Sequence, residues 1–395
     1  MGLSESDEGG PRNSFPPLLL TAICGAVLSG ILVAGLWPFH APKNEVSWLS
    51  TGNGVSFGDY GSLRSAAGFK TSNSTDGASV EIWLEPRVID ASGTILSFYP
   101  SEGRSTSLAL RQSLDDLALL RRKLGEKRSS RASRIYADHV FRDRKPVFFT
   151  LSSGQRGTSI YVNGTLARMS RDFRFSSMDL TGQLVIGNSP VTTDTWSGQV
   201  KGLAIYNREL AASQVAQHYQ GWLGTGHPAV SALDGAVAVY LFNEGGGYAV
   251  HNQVESATDL AIPERFFVLH EPFLERPWNE YIPGWHYWSD IGINITGFIP
   301  LGFFFYVYFS LVRRVEHPAA VTISFGFAVS LTIEVWQAFL PTRNSGTTDL
   351  ITNTFGTALG VSLCAWSMKQ NWFSRVGISI GSSIGERKED LQLVE

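Results

Sequence analysis

Ionisable and amide side chains lie within or beside three apolar stretches in the last third of this 395-residue sequence. They are Asp290, Asn294, Glu334, Gln337, Arg343, Asp349 and Asn353. A carboxylate such as Glu334 is costly in hydrocarbon unless it faces a helix-bundle interior or a wet cavity, so these residues are our first candidate functional site. Carboxylates can act as acids or bases, and an arginine can bind a phosphate through two hydrogen bonds.

The spacing of these residues groups them on shared helix faces, because residues three or four apart lie on one side of a helix. The pairs are Asp290 with Asn294, Glu334 with Gln337, and Asp349 with Asn353. With three carboxylates and one guanidinium, that of Arg343, the cluster could keep a carboxylate protonated or recruit a cation. The alternative is that these groups only join helices through hydrogen bonds, often worth about 0.6 kcal/mol each in membranes.

Four apolar segments are long enough to carry these residues across a membrane. Residues 16–37 contain no charge and reach the length of about 20 residues that crosses a hydrocarbon layer. We expect a retained anchor there rather than a signal peptide, because the preceding segment is mostly acidic and no clear small-residue cleavage site follows. Residues 291–312, 319–340 and 350–368 are the other three candidates, and Gly356-x-x-x-Gly360 predicts close helix packing in the last one.

Basic residues set the expected orientation, since they mark the cytoplasmic side of a membrane protein. They are Arg313, Arg314 and His317 between the second and third spans, and Lys369, Arg375, Arg387 and Lys388 after the fourth. Both termini should therefore be cytoplasmic, residues 38–289 should lie outside, and the polar pairs should gather near the outer leaflet. Arg343 lies in the outer link, where it could offset Glu334 or Asp349 or bind a phosphate.

The expected organisation is a four-helix transmembrane bundle interrupted by an extracytoplasmic all-β sandwich. Its parts are a cytoplasmic tail at 1–14, a first transmembrane helix at 15–38, the sandwich at 45–265, a linker at 266–289, helices two to four at 290–368 and a second cytoplasmic tail at 369–395. The sandwich is predicted from many short alternating segments separated by turn residues, including the Asn163-Gly164 hairpin signal.

Chemistry on the sandwich is less sharply indicated. Trp196 is a candidate for stacking on a sugar ring, whereas Trp83 is expected in the core. Glu81 and Glu85 share one side of a strand and are expected on a solvated face, which argues against paired-carboxylate sugar hydrolysis. No metal site is predicted, and calcium is left open only for loops such as that of Asp194.

Charge and cysteine content argue against several classes of partner and structure. A formal net charge of -3 argues against nucleic acid as a partner. Cys24 and Cys364 both lie in apolar runs, so no disulfide framework is predicted. The basic run 121–134 is either a solvated loop or a patch for anionic lipid headgroups or an acidic wall polymer.

Family resemblance in the outer segment lies in SVEIWLEP (79–86), IYVNGTLA (160–167), LVIG (184–187) and WSGQVKGLAIYNRELAASQVAQHY (196–219). In these stretches the segment resembles LamG, or concanavalin A-like, jelly-roll domains. AVYLFNEGGGYAVHNQ (238–253) is similar to a further element of these domains. The resemblance implies a jelly-roll sandwich and a lectin-like role, with glycan or a wall component as partner.

The apolar segments resemble the VanZ-like family in DIGINITGFIPLGF (290–303), SLTIEVWQAFLPTR (330–343) and DLITNTFGTALG (349–360). This resemblance implies a bacterial plasma-membrane protein of the cell envelope, with membrane lipid as partner and a role in envelope maintenance or glycopeptide (teicoplanin) resistance. No nucleophile or HExxH motif identifies a reaction, which favours a protein that is not an enzyme. The alternative function is an intramembrane enzyme or transporter for an amphiphile of the polyprenyl-phosphate type.

Overall fold

A computed structural model describes residues 17–69, 77–100, 106–122, 132–143, 145–225, 235–254, 258–281 and 284–370. The two predicted tails and most of the basic run 121–134 lie outside these residues, apart from Lys369 and Gln370 at the start of the second tail. The chain divides into two compact units. One, the sandwich unit, comprises 40–272 with 340–344, and the other, the helical unit, contains the remaining described residues.

The first sheet of the sandwich unit has eight strands within the described residues. They are β1 (Val46–Trp48), β2 (Val55–Phe57), β4 (Ala78–Pro86), β9 (Val147–Gly154), β10 (Gly157–Val162), β11 (Thr165–Ser170), β13 (Gly198–Tyr206) and β14 (Ala236–Tyr240). Their order is β1-β2-β13-β4-β9-β10-β11, and β14 also pairs with β13. Antiparallel neighbours such as β4 and β13 need no crossover helix.

The second sheet also has eight strands among the described residues. They are β3 (Leu63–Ser65), β5 (Ser92–Tyr99), β6 (Leu108–Ser113), β7 (Asp116–Arg121), β8 (Ser133–Ala137), β12 (Gln183–Ile186), β15 (Ala249–Val250) and β16 (Leu260–Ala261), in the order β15-β16-β3-β12-β5-β6-β7-β8. Inward side chains of both sheets, among them Val80, Ile82, Phe98 and Phe149, form one buried core. The predicted all-β sandwich is confirmed.

The Asn163-Gly164 turn forms as the sequence predicts. Both residues have positive φ, 49° and 78°, and they join β10 to β11 as a hairpin. Asn and Gly are the residues that adopt this left-handed conformation most readily. The turn therefore sets the register of the two strands.

The chain enters and leaves the sandwich side by side. Asn44 N donates to the Glu264 carbonyl at 3.0 Å, and Phe266 N donates to the Pro42 carbonyl at 3.0 Å. Lys43 pairs with Arg265 between them in an antiparallel bridge. The first and last segments of the unit are thus hydrogen-bonded to each other.

An amphipathic helix, α2 (Ala212–Thr225), covers part of the outer face of the first sheet. Val215 and Trp222 of this helix are buried with Phe148 and Tyr206 of the sheet. Room for the Trp222 ring comes from Gly202 of β13, where an added Cβ would lie 2.3 Å from that ring. Side chains on this face of the sheet therefore form a second apolar core together with α2.

The helical unit consists of α1 (Pro17–Leu36), α3 (Pro277–Glu280), α4 (Trp285–Val307), α5 (Pro318–Gln337) and α6 (Thr347–Lys369), with a π-helical turn at Tyr308–Val312. Among the described residues, three helices are long and apolar enough to cross a membrane: Pro17–Leu36, Tyr287–Val312 and Pro318–Gln337. The sequence predicts four spans, and α6 does not qualify as the fourth because its many threonines lower its mean hydropathy. Its hydroxyls at Thr352, Thr354 and Thr357 donate to carbonyls one turn earlier.

Close packing of α6 on α4 depends on bare glycine backbone. An added Cβ on Gly356 would lie 2.3 Å from the Ile295 carbonyl oxygen, and one on Gly360 would lie 2.1 Å from the Ile299 carbonyl oxygen. Real Cβ atoms do not approach that closely, so both positions require glycine at this spacing. The packing role predicted for this pair of glycines is confirmed.

Candidate functional site

The start of α6 is capped by carboxylates from other parts of the helical unit. Glu334 Oε2 accepts a hydrogen bond from Gly346 N at 2.8 Å. Glu280 of α3 accepts from Thr347 N at 2.9 Å and from Thr348 N at 3.3 Å. The first N–H groups of a helix lack intrahelical acceptors and carry partial positive charge, so carboxylates stabilise them.

Three further hydrogen bonds of the predicted residues each join two helices. Asn294 Nδ2 donates to Asp349 Oδ1 at 2.8 Å, which connects α4 to α6. Asn353 Nδ2 donates to Ser330 Oγ at 3.0 Å, between α6 and α5. Gln337 Nε2 donates to the Gly35 carbonyl at 2.7 Å, between α5 and α1. The structure thus brings five of the seven predicted residues into contacts at this end of the helices.

The other two predicted residues are placed differently. Asp290 is exposed on α4, one turn before Asn294. Arg343 is exposed in the segment 340–344, which belongs to the sandwich unit. Glu280 was not predicted, because its surroundings were assigned to a linker. Pro277 followed by an acidic residue in a short polar turn is the signal that could have indicated a helix there.

Large aromatic side chains are exposed around the same end of the helical unit, where α1 and α5 finish and α4 and α6 begin. This aromatic collar consists of Trp37, Phe39, Trp278, Tyr281, Trp285, Trp288, Trp336 and Phe339, each at least 43% exposed. At the opposite end are the exposed Arg313 and Arg314, after the π-helical turn, and Lys369 in the last turn of α6. The helical unit is therefore polarised along its length.

On the sandwich, the expectation for Trp196 is wrong. Its side chain is 2% exposed, its ring packs 6.1 Å from that of Phe57, and its Nε1 donates to Gln112 Oε1 at 2.7 Å. An added Cβ on Gly198 would lie 2.4 Å from this ring, so the glycine leaves room for the indole. A ring so enclosed belongs to the core and cannot stack on a sugar.

The expectation that Glu81 lies on a solvated face is also wrong. Glu81 is fully buried beneath α2, although alternation along β4 does point it away from the main core. Its carboxylate accepts from Tyr206 Oη at 2.8 Å and Trp222 Nε1 at 3.3 Å, and contacts His218 Nδ1 at 2.9 Å. His218 and Trp222 are four residues apart, which is the sequence signal for a helix face that could cover a sheet.

Carboxylates in two loops of the sandwich already contact basic side chains. Asp194, considered for calcium, is contacted by Arg111 Nη2 at 3.0 Å. Asp115 lies within 4.8 Å of Asp116 and His139 and is contacted by His139 Nδ1 and by Arg142 Nε. The hydrogen bonds from His139 and then Arg142 hold the pKa of Asp115 below its usual range. We assign no metal to either group.

Comparison with known proteins gives two family matches. The VanZ/LLP1 model matches residues 236–368, and the model of the concanavalin A-like lectin/glucanases superfamily matches residues 53–216. No curated protein matches the chain significantly. The first of these matches begins in β14, within the sandwich unit.

Similar solved structures include two receptor-binding domains of botulinum neurotoxins. That of the C/D mosaic serotype has 15% identity and a TM-score of 0.36, with 47% of this chain and 48% of that chain covered. That of neurotoxin D has 12% identity and a TM-score of 0.36, with 52% and 60% covered. The chain thus spans about half the length of these structures, and likeness at this level carries no argument about function.

Proposed function

The chain combines a VanZ/LLP1 domain with a concanavalin A-like domain, and from this pairing we propose that it is a bacterial plasma-membrane protein that binds envelope carbohydrate. In this proposal the sandwich unit lies outside the plasma membrane, and the described ends of the chain, near residues 17 and 370, lie on the cytoplasmic side. The function is adhesion to or recognition of a wall component rather than catalysis.

The observation that carries the proposed orientation is the polarity of the helical unit. The chain leaves this unit after Phe39, at the collar end, and returns to it at Phe273, before α4 begins at the same end. Arg313, Arg314 and Lys369 are at the other end. Because arginine and lysine are enriched on the cytoplasmic side, the inserted sandwich is on the outer side.

Accessibility of single cysteines tests this orientation. With Cys24 and Cys364 replaced by alanine, Ala167→Cys places one thiol on an exposed position of β11, and Glu316→Cys places one beside Arg314. We expect a membrane-impermeant maleimide to label Ala167→Cys in intact spheroplasts, and Glu316→Cys only after permeabilisation. The reverse pattern would overturn the orientation.

Carbohydrate binding requires a separate measurement. The full chain in nanodiscs of neutral lipid is expected to co-sediment with purified bacterial wall polysaccharide, while empty nanodiscs remain in the supernatant. Absence of co-sedimentation across wall preparations would remove the lectin-like role and leave the orientation untouched.

Within this proposal, the polar residues around the start of α6 hold the outer ends of the helices together. Support comes from the bonds of Asn294, Gln337 and Asn353, each of which joins two helices. Asn294→Ala should therefore lower the melting temperature of the full chain in detergent, and leave wall binding unchanged at temperatures where it is folded. Ile293→Ala, at an exposed neighbouring position, is the control. Lost wall binding without lost stability would instead favour a ligand site, such as one for an amphiphile phosphate.

A further inference from the structure

A cleft opens on the sandwich unit where three loops or strand ends meet. Its volume is about 150 Å³, and its lining consists of Gly77, Arg121, Gly154, Gln155, Arg174, Phe175 and Ser176. Arg121 ends β7, Gly154 ends β9, Gln155 belongs to the turn that leads to β10, and the last three residues follow β11. Two arginine side chains therefore line one small cleft together with two glycines.

Arg121 is fixed in this cleft by a buried carboxylate. Its Nε donates to Asp179 Oδ1 at 2.9 Å, and its side chain remains 28% exposed. Asp179 is held in turn, because its Oδ2 accepts from Ser176 N at 2.9 Å. A guanidinium carries five N–H donors, so this bond orients the group without using most of its donors.

Arg174 is exposed, but the backbone on either side of it is anchored. Phe173 and Phe175 are both buried, and Phe175 N donates to Ser153 Oγ at 2.9 Å. Ser153 Oγ also accepts from Thr158 Oγ1 at 2.9 Å, which ties the segment to β9 and β10. Arg174 is thus presented from a fixed backbone, which reduces the entropy lost on binding.

Among the described residues, two arginines and two carboxylates lie at the cleft. Arg121 and Arg174 line it, and Asp179 accepts from Arg121 Nε at 2.9 Å. Glu209 lies against Gly154, where an added Cβ would be 1.8 Å from its Oε2. Because Asp179 offsets the charge of Arg121, Arg174 is the lining residue whose charge we expect a ligand to meet first.

We propose that this cleft binds an oxyanion, phosphate or carboxylate, carried by an anionic envelope polysaccharide. The proposal rests on the carbohydrate-binding function proposed above and names the chemistry of its ligand. Two guanidinium groups match such a ligand, because arginine binds phosphate and carboxylate through paired N–H donors. Neutral sugars would lack the group that the cleft is built to bind.

Binding of defined polymers to the full chain in neutral-lipid nanodiscs tests the proposal. The probes are polygalacturonate, which carries carboxylates, phosphorylated dextran and neutral dextran. We expect both anionic polymers to bind more tightly than neutral dextran, and affinity to fall with rising salt. Polygalacturonate and phosphorylated dextran also distinguish which oxyanion the cleft prefers.

Substitution at Arg174 localises the site, and this residue is preferable to Arg121 because it is not bonded to buried Asp179. Arg174→Gln should weaken binding of the anionic polymers about tenfold, and Arg174→Lys by less, since charge is kept and the planar fork is lost. The matched control is Arg168→Gln, which removes one positive charge from an exposed position on β11 outside the cleft. It should change affinity by less than about twofold.

The outcomes separate this inference from the function on which it rests. Equal binding of neutral and anionic dextran, unaffected by Arg174→Gln, would overturn the cleft while supporting carbohydrate binding elsewhere on the sandwich. Equal losses in Arg174→Gln and Arg168→Gln would show a diffuse charge effect and overturn the cleft as well. If no polymer binds and wall co-sedimentation also fails, both proposals are wrong.

Discussion

Glu81 shows how a carboxylate can be buried in the sandwich unit without a solvent contact. Its oxygens are surrounded by donors from Tyr206 of the sheet and from His218 and Trp222 of α2. A buried carboxylate is tolerated only when its hydrogen-bonding capacity is met, because its desolvation is otherwise too costly. The residue therefore fixes α2 to the sheet.

Removing this acceptor should destabilise the sandwich unit strongly. Glu81→Ala is expected to lower the free energy of unfolding by about 3–5 kcal/mol, because three polar partners lose their buried acceptor. Glu81→Gln should cost less, since one carbonyl oxygen remains. Denaturant unfolding of the full chain in detergent, followed by tryptophan fluorescence, measures both.

The control for this prediction lies four residues along the same strand. Glu85 is part-exposed and pairs with Lys201 at 3.0 Å. Exposed ion pairs contribute about 1 kcal/mol or less, so Glu85→Gln should have a small effect. Equal losses at Glu81 and Glu85 would contradict the role assigned to the buried network.

At single residues, spacing along an element predicted contacts incompletely. Asn294 of α4 donates to Asp349 of α6, whereas Asp290, one turn before Asn294, is exposed and Asn353, one turn after Asp349, donates to Ser330 of α5. For Glu81 and Trp196, alternation along a strand tells which side a residue faces but not what covers that side. The burial of both depends on partners distant in sequence, His218 and Gln112.

Among the helices, contact between α4 and α6 depends on backbone rather than side chains. Because an added Cβ on Gly360 would meet the Ile299 carbonyl oxygen, Gly360→Ala must separate the helices or shift them along their axes. Overpacking of this kind costs about 1–3 kcal/mol. We expect a lower melting temperature in detergent for this variant.

Gly297 of α4 offers a matched control, since no atom lies within 4 Å of an added Cβ there. Alanine has the higher helix propensity, so Gly297→Ala should leave stability unchanged or raise it by up to about 1 kcal/mol. A loss in Gly297→Ala equal to that in Gly360→Ala would mean that general helix effects, and not contact with α4, explain the result.

Apolar runs predicted where α1, α4, α5 and α6 lie, but among the described residues α6 does not combine the length and hydropathy expected of a span. It is rich in threonine, which lowers its mean hydropathy. Threonine hydroxyls bonded to their own helix present little unsatisfied polarity, a feature that hydropathy counting does not register.

For the molecule as a whole, the aromatic collar predicts how deep the helical unit sits in a bilayer. Tryptophan and tyrosine are enriched at the headgroup level of membrane proteins, with apolar rings on one side and water on the other. The collar should therefore lie at the outer interface, and the capped start of α6 should be near the same level. This depth is independent of what the sandwich binds.

Spin labels at two exposed positions of α5 test this depth, in a background without the native cysteines. Trp336→Cys places the label in the collar, and Phe327→Cys places it nine residues earlier, roughly 13 Å deeper along the helix. We expect a water-soluble relaxant to collide more often with the label at residue 336, and oxygen, which dissolves in the hydrocarbon, to collide more often with the label at residue 327. Equal access of the water-soluble reagent to both labels would contradict the membrane assignment of α5.

The hydrogen bonds that join Pro42 and Asn44 to Phe266 and Glu264 have a consequence for local stability. They close the sandwich unit where its first and last segments meet. Unfolding that starts at either end of this unit must therefore break backbone hydrogen bonds before it reaches the strands of the core, so the paired segments protect the ends of the unit from fraying.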